Sequence, residues 1–149
     1  MKVFDLIGYA ITSSSPNEAK PNQFFLSKDK VVINRDRQLT TAIELLNNIE
    51  SSYIKPSEPT FRLGGSSVKD KMFEKLEKLY SEKKIMDHSL EVGKQIAFVL
   101  SGGNTNMNSD LTEDDLYNLE LEAFMRLIQM PKTQERIKHT LETGKPLVN

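Results

Sequence analysis

Apolar residues recur at helical spacing along most of this chain. Phe4, Ile7 and Ile11 stand at i, i+3 and i+7 and predict a helix over 1–11. Ser15, with Pro16 next and Glu18 three residues on, has the spacing of a capping box that opens a short helix, which Pro21 and Asn22 end. Phe24–Leu26 and the β-prone Val31–Ile33 are too short to found a sheet and read as an extended connector packed on helices. Leu39, Ile43, Leu46, Ile49 and Tyr53 form one stripe and predict a helix over 36–54. Lys55-Pro56 and Glu58-Pro59 stop it and begin a stiff linker that runs to Gly64-Gly65.

The second half is more strongly patterned. Met72, Phe73, Leu76, Leu79 and Tyr80 line the inner face of a helix over 67–82, with Glu74 and Lys78 as a favourable outer pair. Asp87 is placed to cap the next helix. Its wide apolar arc of Leu90, Val92, Ile96, Ala97, Val99 and Leu100 marks it as the most buried of the set, and Gly102-Gly103 end it. Thr112 with Asp115 caps a helix carrying Leu116, Leu119, Ala123, Phe124, Leu127 and Ile128, which Pro131 breaks. Thr133 is placed to cap a last helix, with Ile137 and Leu141 inward and Gly144 and Pro146 at its end. The expected fold is all-α, about six or seven helices with an irregular connector and no substantial sheet. A single helical unit over 1–149 is expected, with N-terminal helices and connector at 1–55, a linker at 56–66 and a C-terminal bundle at 67–149.

Composition narrows the chemistry. Twenty basic residues against 21 acidic ones give a net charge of −1, which argues against a nucleic-acid binder. With no cysteine, there is no thiolate nucleophile and no Cys-ligated metal. His88 and His139 stand in no metal spacing and read as structural or solvent-exposed, so no metal site is expected. No run approaches the roughly 18 apolar residues of a spanning helix, and the N-terminus makes a poor signal peptide, so a cytoplasmic protein is expected. Charge is segregated. Asp110, Glu113, Asp114, Asp115, Glu120 and Glu122 face only Arg126 in their stretch, while Lys28, Lys30, Arg35 and Arg37 stand against Asp29 and Asp36 in another. Solvated helix faces explain this most simply, with an electrostatic docking surface as the alternative.

Gly64-Gly65-Ser66-Ser67 opens a helix but is neither GxGxxG nor a P-loop, and reads as a turn and N-cap. No serine lies in a GxSxG setting. Asp114-Asp115 and Glu120/Glu122 are spaced so that the carboxylates of each pair do not face one another on a helix. Taken alone, these residues complete no catalytic constellation.

Several stretches in order resemble one family. They are Phe4–Gly8 followed by Thr12–Ser15 and Glu18–Lys20, then Asp29–Asp36 with Arg37 and Leu39, Phe61–Leu63 leading to Gly65, Ile96–Gly103, and above all the closing run Leu119–Asn149 with its Gly144-Lys145-Pro146-Leu147. Together they are similar to the C-terminal end of the bacterial multifunctional β-oxidation protein. That family joins a 3-hydroxyacyl-CoA dehydrogenase to a crotonase-like enoyl-CoA hydratase region. The resemblance implies the helical C-terminal region of a crotonase-like domain, with the dinucleotide-binding part, the first catalytic carboxylate and the oxyanion hole lying upstream. The parent would use NAD and acyl-CoA substrates, while this chain by itself would hold no cofactor.

The resemblance matches Asp5 to the second catalytic carboxylate, where the family has Glu. That shortening retracts the carboxylate by on the order of 1.5 Å, which can cost about 100-fold in rate. It also places Lys145 near the CoA phosphates, beside the plain reading of a cation at a helix C-terminus. Gln23 replaces a usual Gly and Gly64 a usual Pro. These departures suit a split-gene product or a decaying remnant. The expected function is therefore a C-terminal fragment of the β-oxidation enzyme, not catalytic alone. Its expected partner is the remainder of that enzyme or a second copy in a homodimer, with acyl-CoA bound only when the core is present. The competing reading is a stand-alone helical interaction module, or a split subunit completing a separately encoded crotonase core.

Overall fold

The computed structural model describes residues 1–107 and 109–149. The fold is all-α. Seven α-helices among the described residues are joined by turns and one two-residue strand pair. The chain divides into two compact units, 1–11 with 58–149, and 12–57. The first helix shares the core of the larger unit. That helix, α1 (Lys2–Gly8), buries Phe4 in the same cluster as Met72, Leu76, Leu90 and Ala97. It is shorter than expected. Ala10 takes a left-handed φ of 49°, and the Ile11 N–H returns to the Leu6 carbonyl at 2.8 Å, closing the helix before Ile11.

The smaller unit holds α2 (Pro16–Ala19), α3 (Gln38–Ile49) and three 3-10 turns. Ser15 caps α2 by accepting from the Glu18 N–H at 3.3 Å. Glu18 reaches back to the N–H and hydroxyl of Ser14, at 2.9 and 2.7 Å, so the cap spans one residue more than the capping-box spacing implied. Gln23 stands at φ 60°, ψ 27°, a left-handed conformation that glycine adopts without steric cost. The turn at Arg35–Arg37 is capped by Asn34, whose Oδ1 accepts from the Asp36 N–H at 2.9 Å, and it leads directly into α3. No residue of α3 is buried; Leu39 and Leu46 are 73% and 61% exposed. Val31–Ile33 forms no strand, and with Ile33 at 96% exposure the connector does not pack on helices as expected.

The larger unit is built on α4 (Gly65–Ser81), α5 (Asp87–Ser101), α6 (Glu113–Ile128) and α7 (Pro131–Thr143). Strands β1 (Phe61–Arg62) and β2 (Asp110–Leu111) pair antiparallel, Phe61 opposite Leu111, and Arg62 bonds Asp110 at 2.6 Å. Two residues per strand give no periodicity to read, so the sequence held no signal for them. Of the arc its pattern predicts, α5 buries Leu90 and Ala97 and half-buries Val92, Ile96, Val99 and Leu100; Gly93 and Phe98, outside that arc, are buried as well, so the buried face is turned towards them. Lys94 of α5 reaches Glu77 of α4 at 2.7 Å across their packed faces. The helix ends in a Schellman motif, in which Gly102 N–H meets the Val99 carbonyl and Gly103 N–H the Phe98 carbonyl. Thr112 and Asp115 form the expected capping box on α6.

Two expected caps are corrected. Asp87 is the first residue of α5 and Met86 its N-cap; the Asp87 carboxylate instead accepts from the Tyr80 hydroxyl at 3.0 Å. Met130 precedes α7 with Pro131 at its first position, where the missing N–H costs nothing, and Thr133 lies inside the helix. Leu141, expected inward, is 82% exposed.

Helices α4 and α5 approach closely at Gly93. A Cβ there would lie 2.6 Å from Leu76 Cδ2, with Leu76 itself buried. We expect Gly93→Ala to destabilise the protein by about 1–3 kcal/mol through overpacking. The same change in a Leu76→Val background should cost less, because helix propensity favours Ala by about 1 kcal/mol once space is provided. Urea unfolding of the four proteins measures the coupling.

Candidate functional site

Asp5, on the first turn of α1, is held by Lys75 of α4, with both side chains about a third exposed. The contact follows from the packing: Phe4, one residue earlier, is sunk among Met72 and Leu76 of α4. Asp5 borders a partly open cavity of about 130 Å³ between α1, α4, α5 and α7 within the larger unit. Its walls are mostly apolar, with Phe4, Leu76, Leu79, Ile85, Val92 and Ile96. Four side chains with polar groups also line it: Asp5, Tyr9, Ser89 and Arg136.

Arg136 had no role in the sequence reading. One turn into α7 it faces α5, where Nη2 donates to Ser89 Oγ at 3.1 Å. Its Nε donates to Asn149 Oδ1 at 2.8 Å, which folds the end of the chain back onto α7. Burial pushes the Arg136 guanidinium below its ordinary value. Only the three-dimensional meeting of α5 and α7 reveals this group; in sequence it is one more cation on an amphipathic helix.

Lys145 follows the left-handed Gly144 that ends α7. Its N–H bonds Thr143 Oγ1 at 3.2 Å and its carbonyl accepts from Thr140 Oγ1 at 3.3 Å. The residue is exposed, and Lys145 does not line the cavity that Asp5 borders. The structure therefore does not bring the two expected site residues into one pocket. Gly64 has φ −76°, within proline's range, but a Cβ there would lie 2.0 Å from Val68 Cγ2. Gly65 is buried against the backbone of Thr105–Met107, so the start of α4 is covered by that loop.

His88 sits at the second position of α5, 2% exposed, with Nε2 2.9 Å from Thr133 Oγ1 of α7. Desolvation lowers its pKa from the ordinary 6.5, and the charges of Arg136 and Lys132 add to this; Glu91 and Glu135 oppose them. The imidazole is thus held neutral where α5 meets α7. Among the described residues no group of three or more His, Asp or Glu side chains could hold a metal ion, and no helix is long and apolar enough to cross a membrane.

A second apolar groove runs between α1, α5 and α6, lined by Ile7, Ile96, Val99, Leu100, Phe124 and Leu127. Gln95 also lines it, and its Oε1 is buried with no hydrogen-bond partner. Arg126 of α6 bonds Glu122, and its guanidinium carbon lies 5.2 Å from the centroid of the Phe98 ring of α5.

Known proteins add one clear likeness. The chain is 28% identical over 150 residues to a protein of Bacillus subtilis (strain 168) described as "Probable 3-hydroxyacyl-CoA dehydrogenase". The match takes in 100% of this chain and 19% of that protein, so the chain spans about a fifth of its relative's length. No protein-family model matches the chain, and no solved structure matches it.

The His88 environment sets a pH dependence. A histidine whose folded pKa lies below its unfolded value stabilises the fold above the unfolded pKa, and that contribution is lost as pH falls from about 6.5 towards the folded value. We expect the melting temperature to drop between pH 7.5 and pH 5.5, and His88→Gln to flatten that drop. Thermal unfolding monitored by circular dichroism at the two pH values checks it.

Proposed function

We propose that this chain is the helical C-terminal part of a cytoplasmic fatty-acid β-oxidation enzyme of the 3-hydroxyacyl-CoA dehydrogenase and enoyl-CoA hydratase type, and that it is not catalytic alone. The observation that carries this reading is a likeness to the Bacillus dehydrogenase that runs through the whole chain. The all-helical fold agrees with it, since the resemblance implies a helical region behind a crotonase-like core.

In the parent, hydration of a 2-enoyl-CoA requires two carboxylates around one water and N–H donors for the thioester enolate. NAD then accepts the hydride of the 3-hydroxyacyl-CoA. Asp5 is this chain's one candidate for a share in that chemistry, and its carboxylate is engaged by Lys75. Its work here is to hold α1 on α4. Lys145 has an exposed ammonium next to a helix terminus, a placement that suits contact with CoA phosphates once the catalytic core is present.

The exposed stripe of α3 supports a second reading within the same proposal. Leu39, Ile43, Leu46 and Ile49 are each about half exposed or more, an apolar face that a partner surface would cover. The remainder of the enzyme is the partner we favour, supplied on the same polypeptide or as a separate subunit; a homodimer or an unrelated adaptor role is the alternative.

The purified chain should not hydrate crotonyl-CoA, nor form NADH from 3-hydroxybutyryl-CoA and NAD, above background. Turnover by the chain alone overturns the non-catalytic assignment. In an assembled enzyme carrying this segment, Lys145→Ala should raise KM for the acyl-CoA about three- to tenfold with kcat unchanged. An unchanged KM removes Lys145 from the site.

A further inference from the structure

The cavity between α1, α4, α5 and α7 has features that packing alone does not call for. It joins an apolar chamber to a guanidinium whose hydrogen-bonding capacity is only partly used. Arg136 spends Nε on Asn149 and Nη2 on Ser89 and the Asn149 main-chain oxygen, the last at 3.4 Å. Among the described residues no hydrogen bond reaches Nη1 and no Asp or Glu carboxylate pairs with the group; the nearest carboxylate oxygen is that of Asn149, on the Nη2 side, and Nη1 is not sealed off from open space. Ser89 Oγ accepts from Arg136, which leaves its own proton available to donate. Asp5, the one carboxylate on the wall, is already neutralised by Lys75.

We propose that this cavity binds a small amphipathic monocarboxylate, its carboxylate on Arg136 Nη1 and the Ser89 hydroxyl and its hydrocarbon part against Phe4, Leu76, Ile85 and Ile96. Guanidinium matches carboxylate in charge and planar geometry, and charge-assisted bonds of this kind are about twice as strong as neutral ones. Size sets the chain length. An apolar cavity of about 150 Å³ accepts benzene. At about 130 Å³, this one fits a guest of about six heavy atoms, a carboxylate of four to five carbons. The assignment goes beyond the proposed function, since it concerns a free acid held by the bundle itself and neither acyl-CoA nor Lys145. It stands whether or not the chain completes a larger enzyme.

The test is a methyl and amide NMR titration of the full chain with sodium butyrate. Acetate and butyramide serve as companions that lack the hydrocarbon part and the charge, respectively. We expect saturable shifts with butyrate in the low-millimolar range at the Leu76, Ile85 and Ile96 methyls. Acetate and butyramide should bind at least about tenfold more weakly. Arg136→Gln should weaken butyrate by about tenfold or more, and Arg136→Lys by less. Should loss of Arg136 unfold the chain, Gly8→Leu gives an independent reading. Gly8 lines the cavity and a Cβ there meets nothing within 4 Å, so a leucine is accommodated at the cavity's edge without a clash and should weaken binding by narrowing it, with Arg136 intact. The proposal is overturned if butyrate gives no saturable shift at tens of millimolar. It is equally overturned if butyramide or acetate binds as well as butyrate, or if both Arg136→Gln and Gly8→Leu leave the affinity unchanged.

Discussion

The contact between Leu76 and Gly93 sets the geometry of the larger unit. Because Gly93 has no side chain, α4 and α5 approach closely enough for Leu76 to fill the space a Cβ would need. That closeness lines up Met72, Leu76, Leu90 and Ala97 as one buried cluster, and Phe4 of α1 seals it from the side. The Asp5–Lys75 pair and the bridge from Lys94 to Glu77 lie at the edges of this packing. Partly exposed pairs of this type are typically worth about 0–1 kcal/mol, so they orient the helices while apolar burial carries the stability. The cavity beside Asp5 follows from the same arrangement: Phe4, Leu76 and Gly93 form part of its wall.

Where the bundle is built this way, the chain of 12–57 is not. Its helix α3 has a well-formed apolar stripe and buries none of it. Helices in proteins owe most of their stability to packing of an apolar face, and short isolated ones are marginal in water. A helix of 12 residues with an exposed stripe is therefore a surface waiting for a complement. This exposed face supports the proposal that the remainder of an enzyme covers it. It also agrees with a chain that aligns along its whole length with only 19% of its relative.

Much of the fold was legible in the sequence because helical periodicity is a strong local signal. The helices α4, α5 and α6, the glycine stop of α5 and the Thr112–Asp115 box stand where the pattern put them, although Tyr80 and Phe124, expected inward, are exposed. Caps failed where a side chain had a better partner than the helix end: Asp87 accepts from Tyr80, and Thr133 meets His88. Burial failed at Leu141 and along α3, since periodicity says which face is apolar and nothing about whether another element covers it. The polar wall of the cavity was invisible for a related reason. Ser89 and Arg136 lie 47 residues apart and meet only through the packing of α5 on α7.

Native-state hydrogen exchange on the isolated chain tests most directly the claim that one tight helix pair supports the fold while α3 awaits a partner. Amides of α4 and α5 around Leu76 and Gly93 should exchange slowest, at the rate of global unfolding, and those of Gln38–Ile49 should exchange through local opening, orders of magnitude faster. Protection of α3 equal to that of α5 in the isolated chain would contradict the account.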